Sequence, residues 1–132
     1  MTELSDNPPQ SLALSQRSLG NPSLSYPLFP PLVEGCPTTS TADLQYPLVI
    51  DYDYKKVPPD FFKRAPFAGI WRWGELLPPL APSLSMGEGG TPLVAAPRLA
   101  GWAGADVELY IKDESRNPTG SHKDRLNLCT VS

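Results

Sequence analysis

The sequence predicts an α/β fold, and three features carry the prediction. Residues 46–54 (YPLVIDYDY) hold β-branched and aromatic side chains, residues 107–112 (VELYIK) alternate apolar with polar, and glycine and proline stop at Ser121. The first two read as strands and the third as the start of a helix. Composition pulls the other way. The 132 residues include 17 prolines and 10 glycines, about a fifth of the chain, where roughly 12% is usual for globular proteins. The prolines crowd the first two thirds, so the ordered core is expected to be smaller than the length suggests.

Residues 1–43 are dense in Ser, Thr, Pro, Gly and Asn. No helical or strand period runs through them, which predicts a loop or disordered Pro/Ser-rich tail. A short docking anchor is expected near Tyr26 and Phe29. The strand at 46–54 follows, with Pro47 confined to its start or an edge because it cannot donate a ladder hydrogen bond. Pro58 and Pro59 forbid continuation. A short helix is expected within 60–73, broken at Pro66 and loosened at Gly69. Trp71, Trp73, Leu76 and Leu77 read as a packing cluster.

Residues 83–94 (SLSMGEGGTPLV) place three glycines around Glu88. In a helix each would cost about 1 kcal/mol, so the stretch predicts a loop of close backbone approach leading to a short extended segment at 92–94. After the strand at 107–112 comes a polar loop, 113–120. Ser121, three residues before Asp124, offers a capping box for a helix over 121–132.

Several function classes are disfavoured. Formal charge is -3, and no basic run is longer than Lys55-Lys56, so a nucleic-acid footprint is missing. No stretch reaches the 18 apolar residues of a membrane span, and the acidic N-terminus is unlike a secretory leader. A cytoplasmic protein with reduced Cys36 and Cys129 is expected. His122 is the only histidine, and GCPTTST around Cys36 holds no second cysteine at ligand spacing, so no metal site is expected. Cys36 reads as a remnant or an ordinary loop residue.

Strand, polar loop and helix N-terminus form a natural seat for an anion, because unspent N–H groups and the helix dipole both favour negative charge there. Gly120 permits close approach, and Ser121 adds a hydroxyl. Lys123 sits beside the positive end of that dipole, a place that suits an amine free to attack an aldehyde. Read alone, such a lysine is more often a solvated surface residue. Asp124 and Arg125 read equally well as helix-end charges.

Residues 86–94 (MGEGGTPLV) followed by 109–125 (LYIKDESRNPTGSHKDR) resemble the threonine synthase family among the fold-type-II pyridoxal phosphate enzymes. The resemblance extends back through 67–80 (FAGIWRWGELLPPL). It implies an incomplete fold of the tryptophan synthase β type, N-terminal portion only, divided as a tail (1–43), a family N-terminal segment (44–82) and the truncated start of a cofactor-binding catalytic domain (83–132). By the same resemblance Lys123 binds pyridoxal 5'-phosphate as a Schiff base, with Asn117, Gly120, Ser121 and His122 on the cofactor side and Glu88, Gly89, Gly90 and Thr91 in a loop on the substrate side. The implied reaction is a lyase step of amino-acid biosynthesis, O-phosphohomoserine and water giving threonine and phosphate.

One departure is His122, where threonine synthases carry Phe; tryptophan synthase β chains have SHK there. The imidazole could donate to the cofactor phosphate, and dehydratase or β-replacement chemistry, such as cysteate or cysteine synthesis, remains an alternative. The family's downstream glycine-rich phosphate loop and completing parallel strands are not found in the 132 residues. The chain is therefore expected to be a fragment, inactive in isolation, of a parent read as homodimeric; a non-catalytic binding or regulatory remnant is the reading from another class.

Overall fold

The computed structural model describes residues 10–63 and 66–132, with the side chains of residues 66–68 left aside. It divides into two compact units. One comprises the described residues of Met1–Phe62 with Trp73–Pro79, the other those of Lys63–Arg72 with Leu80–Ser132.

The first unit is built on a three-stranded antiparallel sheet. Strand β1 (Ala13–Ser18) lies between β2 (Ser25–Tyr26) and β3 (Leu48–Tyr52). The strand expected at 46–54 is thus present as β3, starting just after Pro47. Ala13–Ser18 and Ser25–Tyr26 depart from the loop or disorder expected of most of 1–43, and the sheet's central strand is the first of them; the other residues of 10–43 lie in turns and loops, and residues 1–9 lie outside the described residues. Backbone satisfaction explains the order. One buried side chain, Gln16, donates from Nε2 to the carbonyls of Pro27 (2.7 Å), Leu28 (3.2 Å) and Pro30 (3.1 Å) and accepts from Leu32 N–H at 2.9 Å. A proline-rich loop has few N–H groups of its own, so an amide that serves three of its carbonyls holds it in one conformation. Arg17 forks onto Asp51 across β1 and β3 (Nε–Oδ2 2.8 Å, Nη2–Oδ1 2.9 Å). This contact cannot be read from the local pattern of either strand.

Cys36 also departs from its reading as an ordinary loop residue. It is fully buried, with Tyr26 Oη 3.2 Å from its sulfur. Burial pushes its thiol up, but hydrogen bonds from Ser18, Thr39, Tyr26 and the Thr38 backbone outweigh this and bring it down to about 6. The anchor expected near Tyr26 and Phe29 is therefore Tyr26; Phe29 is 62% exposed. In the packing cluster, Trp73 meets the rings of Phe61 and Phe62 at centroid distances of 5.2 and 6.1 Å.

In place of a single short helix at 60–73 there are 3-10 turns at Phe61–Lys63 and Pro66–Leu76, the latter kinked at Gly69 (φ 56°). The second unit pairs β4 (Leu93–Ala95) with β5 (Tyr110–Lys112), antiparallel. Strand β5 is the C-terminal half of the stretch expected at 107–112. Helix α1 (Pro97–Trp102), which sequence reading did not anticipate, begins on a proline at its first turn, where the missing N–H costs nothing. Helix α2 (Lys123–Val131) follows. The mixture of strands and helices agrees with the α/β reading, and every strand pair among the described residues is antiparallel.

Candidate active site

The β4–β5 ribbon brings the two motifs to one end. Because the strands run antiparallel with Leu93 opposite Lys112, the loop entering β4 and the loop leaving β5 emerge side by side, and Asp113 N–H reaches Pro92 O at 3.0 Å. Of the first loop's glycines, Gly89 makes the expected close approach, whereas Gly87 meets nothing within 4 Å. Ile70 N–H donates to Glu88 O at 2.8 Å, and a Cβ on Gly89 (φ +86°) would lie 2.6 Å from Ile70 N. Only a residue without Cβ fits there.

Glu114 ties the loops together. Its carboxylate accepts from Arg125 (Nε 3.1 Å, Nη2 3.0 Å), Thr91 Oγ1 (2.7 Å) and Asn117 Nδ2 (2.9 Å). Arg125 Nη2 also donates to Thr91 Oγ1 at 2.9 Å, and Asn117 Oδ1 accepts from Gly89 N–H at 2.9 Å. Residues from both motifs and from α2 thus share one polar cluster, in which Thr91 and Asn117 are buried. The Arg125 hydrogen bonds, with those of Thr91 and Asn117, outweigh burial and hold the Glu114 carboxyl down at about 2. Arg125 is therefore a partner within the cluster rather than a helix-end charge. Sequence reading missed Glu114 and this use of Arg125; the signal available was a motif in which Glu, Asn, Thr and Arg all recur close to glycines.

The start of α2 differs from the expected capping box. The helix begins at Lys123, with His122 in the capping position and no side-chain cap. Ser121 Oγ accepts from Lys123 N–H at 3.2 Å. Asp124 turns the other way: its carboxylate accepts from Thr119 N–H (2.8 Å) and Thr119 Oγ1 (2.5 Å), and so is unavailable to Ser121. One turn later Leu128 is buried beneath the same face as Asp124, whereas His122 and Lys123 are exposed. Buried Asp124 and clamped Arg125 therefore pin the first turn and leave Lys123 outward. Its Nζ makes no hydrogen bond or ion pair among the described residues, and the N–H groups of Ser121 and His122 find no acceptor among them. Gly120 (φ +74°) leaves the approach open: a Cβ placed there would come no closer to a neighbour than 3.9 Å, from Ser115 O. An uncommitted amine beside unspent backbone donors fits an aldehyde that carries a phosphate.

A cavity of about 1030 Å³ borders the first loop, lined by Trp71, Arg72, residues 87–93 and Lys112. The structure thus brings Glu88, Gly89, Gly90 and Thr91 together with Asn117, whereas Lys123, His122, Ser121 and Gly120 are not part of the cavity wall.

Residues 84–132 match the family model described as pyridoxal-phosphate dependent enzyme. These residues are similar to that family. The chain is also similar to threonine synthases: one of Methanosarcina acetivorans at 40% identity over 79 residues (59% of this chain, 19% of that protein), one of Methanocaldococcus jannaschii at 42% over 83 residues (59% and 20%), and one of Mycobacterium leprae at 60% over 38 residues (29% and 10%). The chain spans about a fifth of the length of the first two. No solved structure matches. The family's cofactor is pyridoxal phosphate, and the segment it covers contains every residue of the Glu114 cluster as well as Lys123. No helix among the described residues is long and apolar enough to cross a membrane.

Proposed function

We propose that Lys123 is the lysine that carries pyridoxal 5'-phosphate, in a threonine synthase-like lyase of amino-acid biosynthesis. The observation that carries this reading is the outward, uncommitted Nζ at the start of α2, between side chains that are pinned. Ser121 and His122 would present their N–H groups, and His122 its imidazole, to the cofactor phosphate; Gly120 gives access, and Asn117 fixes the neighbouring loop through Gly89 N–H. Bound there, the cofactor supplies an electron-withdrawing ring that stabilises negative charge at the Cα of an attached amino acid. Lys123 Nζ would have two roles: to hold the cofactor through its aldehyde carbon and, when not so engaged, to move a proton at Cα of the amino acid.

The proposed reaction takes O-phosphohomoserine and water to threonine and phosphate, with Glu88, Gly89, Gly90 and Thr91 facing the substrate. His122 favours a second reading within the family, dehydratase or β-replacement chemistry, which turnover of threonine or serine in place of O-phosphohomoserine would reveal. Catalysis is assigned to a longer, homodimeric protein, with the 132 residues inactive by themselves. Both cysteines are free thiols, in keeping with a cytoplasmic setting.

The test is selective labelling. Pyridoxal phosphate is added to the 132-residue chain, reduced with borohydride, and the peptides are mapped. Label concentrated on Lys123 over Lys55, Lys56, Lys63 and Lys112, with a violet absorbance lost in Lys123→Ala, is the expected result. Label spread evenly over the five lysines would sink the assignment and leave the non-catalytic remnant. Because Lys123 is exposed, the substitution should change stability by no more than about 0.5 kcal/mol.

A further inference from the structure

We propose that the cavity beside the first loop takes the phosphate group of the substrate, with Lys112 as its contact. The inference rests on the reading of that loop as the substrate side. Among the described residues, three charged side chains line the cavity of about 1030 Å³: Arg72, Glu88 and Lys112. They are not equivalent. Glu88 is 3% exposed, its Oε2 accepts from Met86 N–H at 2.8 Å and its Oε1 is buried, so the one carboxylate lies beneath the wall rather than on it. Arg72 already has a partner and counts here only as a second cation. Lys112 is exposed, donates from Nζ to Thr91 O and makes no ion pair among the described residues.

The Lys112 ammonium is held by the same cluster that fixes the loop. Thr91 is buried; its Oγ1 donates to Glu114 at 2.7 Å and accepts from Arg125 at 2.9 Å, so the residue whose carbonyl receives Lys112 is itself fixed. One N–H of the ammonium is spent there and two remain. A lysine tethered in this way loses less side-chain freedom on meeting an anion than an untethered one. Two neutral donors share the wall. Ser85 Oγ accepts from Gly87 N–H at 3.2 Å, which leaves its own proton without an acceptor among the described residues, and Gly90 N–H has none among them either.

The accessible wall therefore offers donors: an ammonium, a hydroxyl and a backbone N–H. Such a set suits a phosphate monoester better than an amine or a neutral group, and the cavity has room for a phosphate on a short chain. The cofactor's phosphate is the poorer occupant, because Lys123, His122, Ser121 and Gly120 are not part of this wall.

Isothermal titration of the 132-residue chain with O-phospho-L-homoserine and with homoserine, the same molecule without its phosphate, tests this. The unaltered chain should bind the first at least about tenfold more tightly. Lys112→Gln keeps an N–H for Thr91 O but removes the charge, and should abolish that preference; Lys112→Arg, which keeps the charge, should retain it. Equal affinity for the two probes, binding of neither, a preference that survives Lys112→Gln, or one lost equally in Lys112→Arg would overturn the proposal. Inorganic phosphate competing as well as O-phosphohomoserine would leave only a free-anion site, and displacement by pyridoxal phosphate in Lys123→Ala would give the site to the cofactor; either result overturns the assignment to substrate. Lysine labelling, done without these probes, reads the cofactor assignment separately. Selective label on Lys123 without phosphate preference defeats only the role of Lys112, and phosphate preference with uniform label defeats only the assignment of Lys123.

Discussion

The two units each hold a polar cluster, and the clusters work differently. Around Cys36 in the first unit the donors are neutral hydroxyls and a backbone N–H, all converging on one sulfur. Around Glu114 in the second, a guanidinium forks onto a carboxylate while Thr91 and Asn117 close the remaining positions. Charge-assisted bonds are about twice as strong as neutral ones and hold direction as well as energy. The second cluster therefore fixes the relative placement of two loops and a helix, as an active site needs. The first stabilises a single buried group. Polar burial can thus serve either to position or merely to accommodate, and the donor chemistry distinguishes the two.

Gly89→Ala should break the second unit most severely. The new Cβ would meet Ile70 N at 2.6 Å in a backbone with φ +86°, and strain of this kind costs about 3 kcal/mol. Chemical denaturation should show this loss, with Gly87→Ala, whose Cβ meets nothing within 4 Å, losing less.

Arg125→Ala comes next. It removes three hydrogen bonds from the cluster and leaves Glu114 without its cation, a loss of about 2 kcal/mol for a partly exposed pair. The same variant should change the pH response. In the unaltered chain the Glu114 carboxyl is held at about 2 against an ordinary 4.5, so its contribution is complete above 4.5 and is lost as pH falls towards 2. Melting curves across that window should be flatter for Arg125→Ala.

A pH-dependent effect is expected in the first unit. The Cys36 thiol is brought from 9.0 to about 6, so its ionised form is favoured by folding. That contribution is complete above 9 and is lost as pH falls through 6. Stability of the unaltered chain should therefore rise between pH 6 and 9, and Cys36→Ser should remove the rise without affecting Lys123 labelling. A loss of labelling selectivity would erase the distinction between a positioning cluster and an accommodating one.

Much of the second unit was legible because its signals are local. Glycines too costly for a helix marked the loop around Glu88, and alternation marked β5. The resemblance carried by residues 86–94 and 109–125 pointed to Lys123. The start of α2 was misplaced because Ser121 and Asp124 have capping-box spacing, but Thr119 competes for the Asp124 carboxylate and wins. In the first unit β3 was legible and β1 was not: Ala13–Ser18 has no β-branched residue, and what makes it a central strand is Asp51, 34 residues beyond Arg17.

By itself, then, the sequence indicated strands within 46–54 and 107–112 and the glycine loop, and it singled out Lys123 for the role proposed above. Propensity, backbone freedom and motif spacing act over a few residues, and a sequence displays them directly. Only the tertiary structure decided that residues 10–43 contribute two strands to a sheet, that Glu114 joins two motifs, and that one oxygen of Glu88 is left without a donor. Those outcomes depend on which groups from distant segments satisfy one another's hydrogen bonds, and that accounting exists only once the chain has folded.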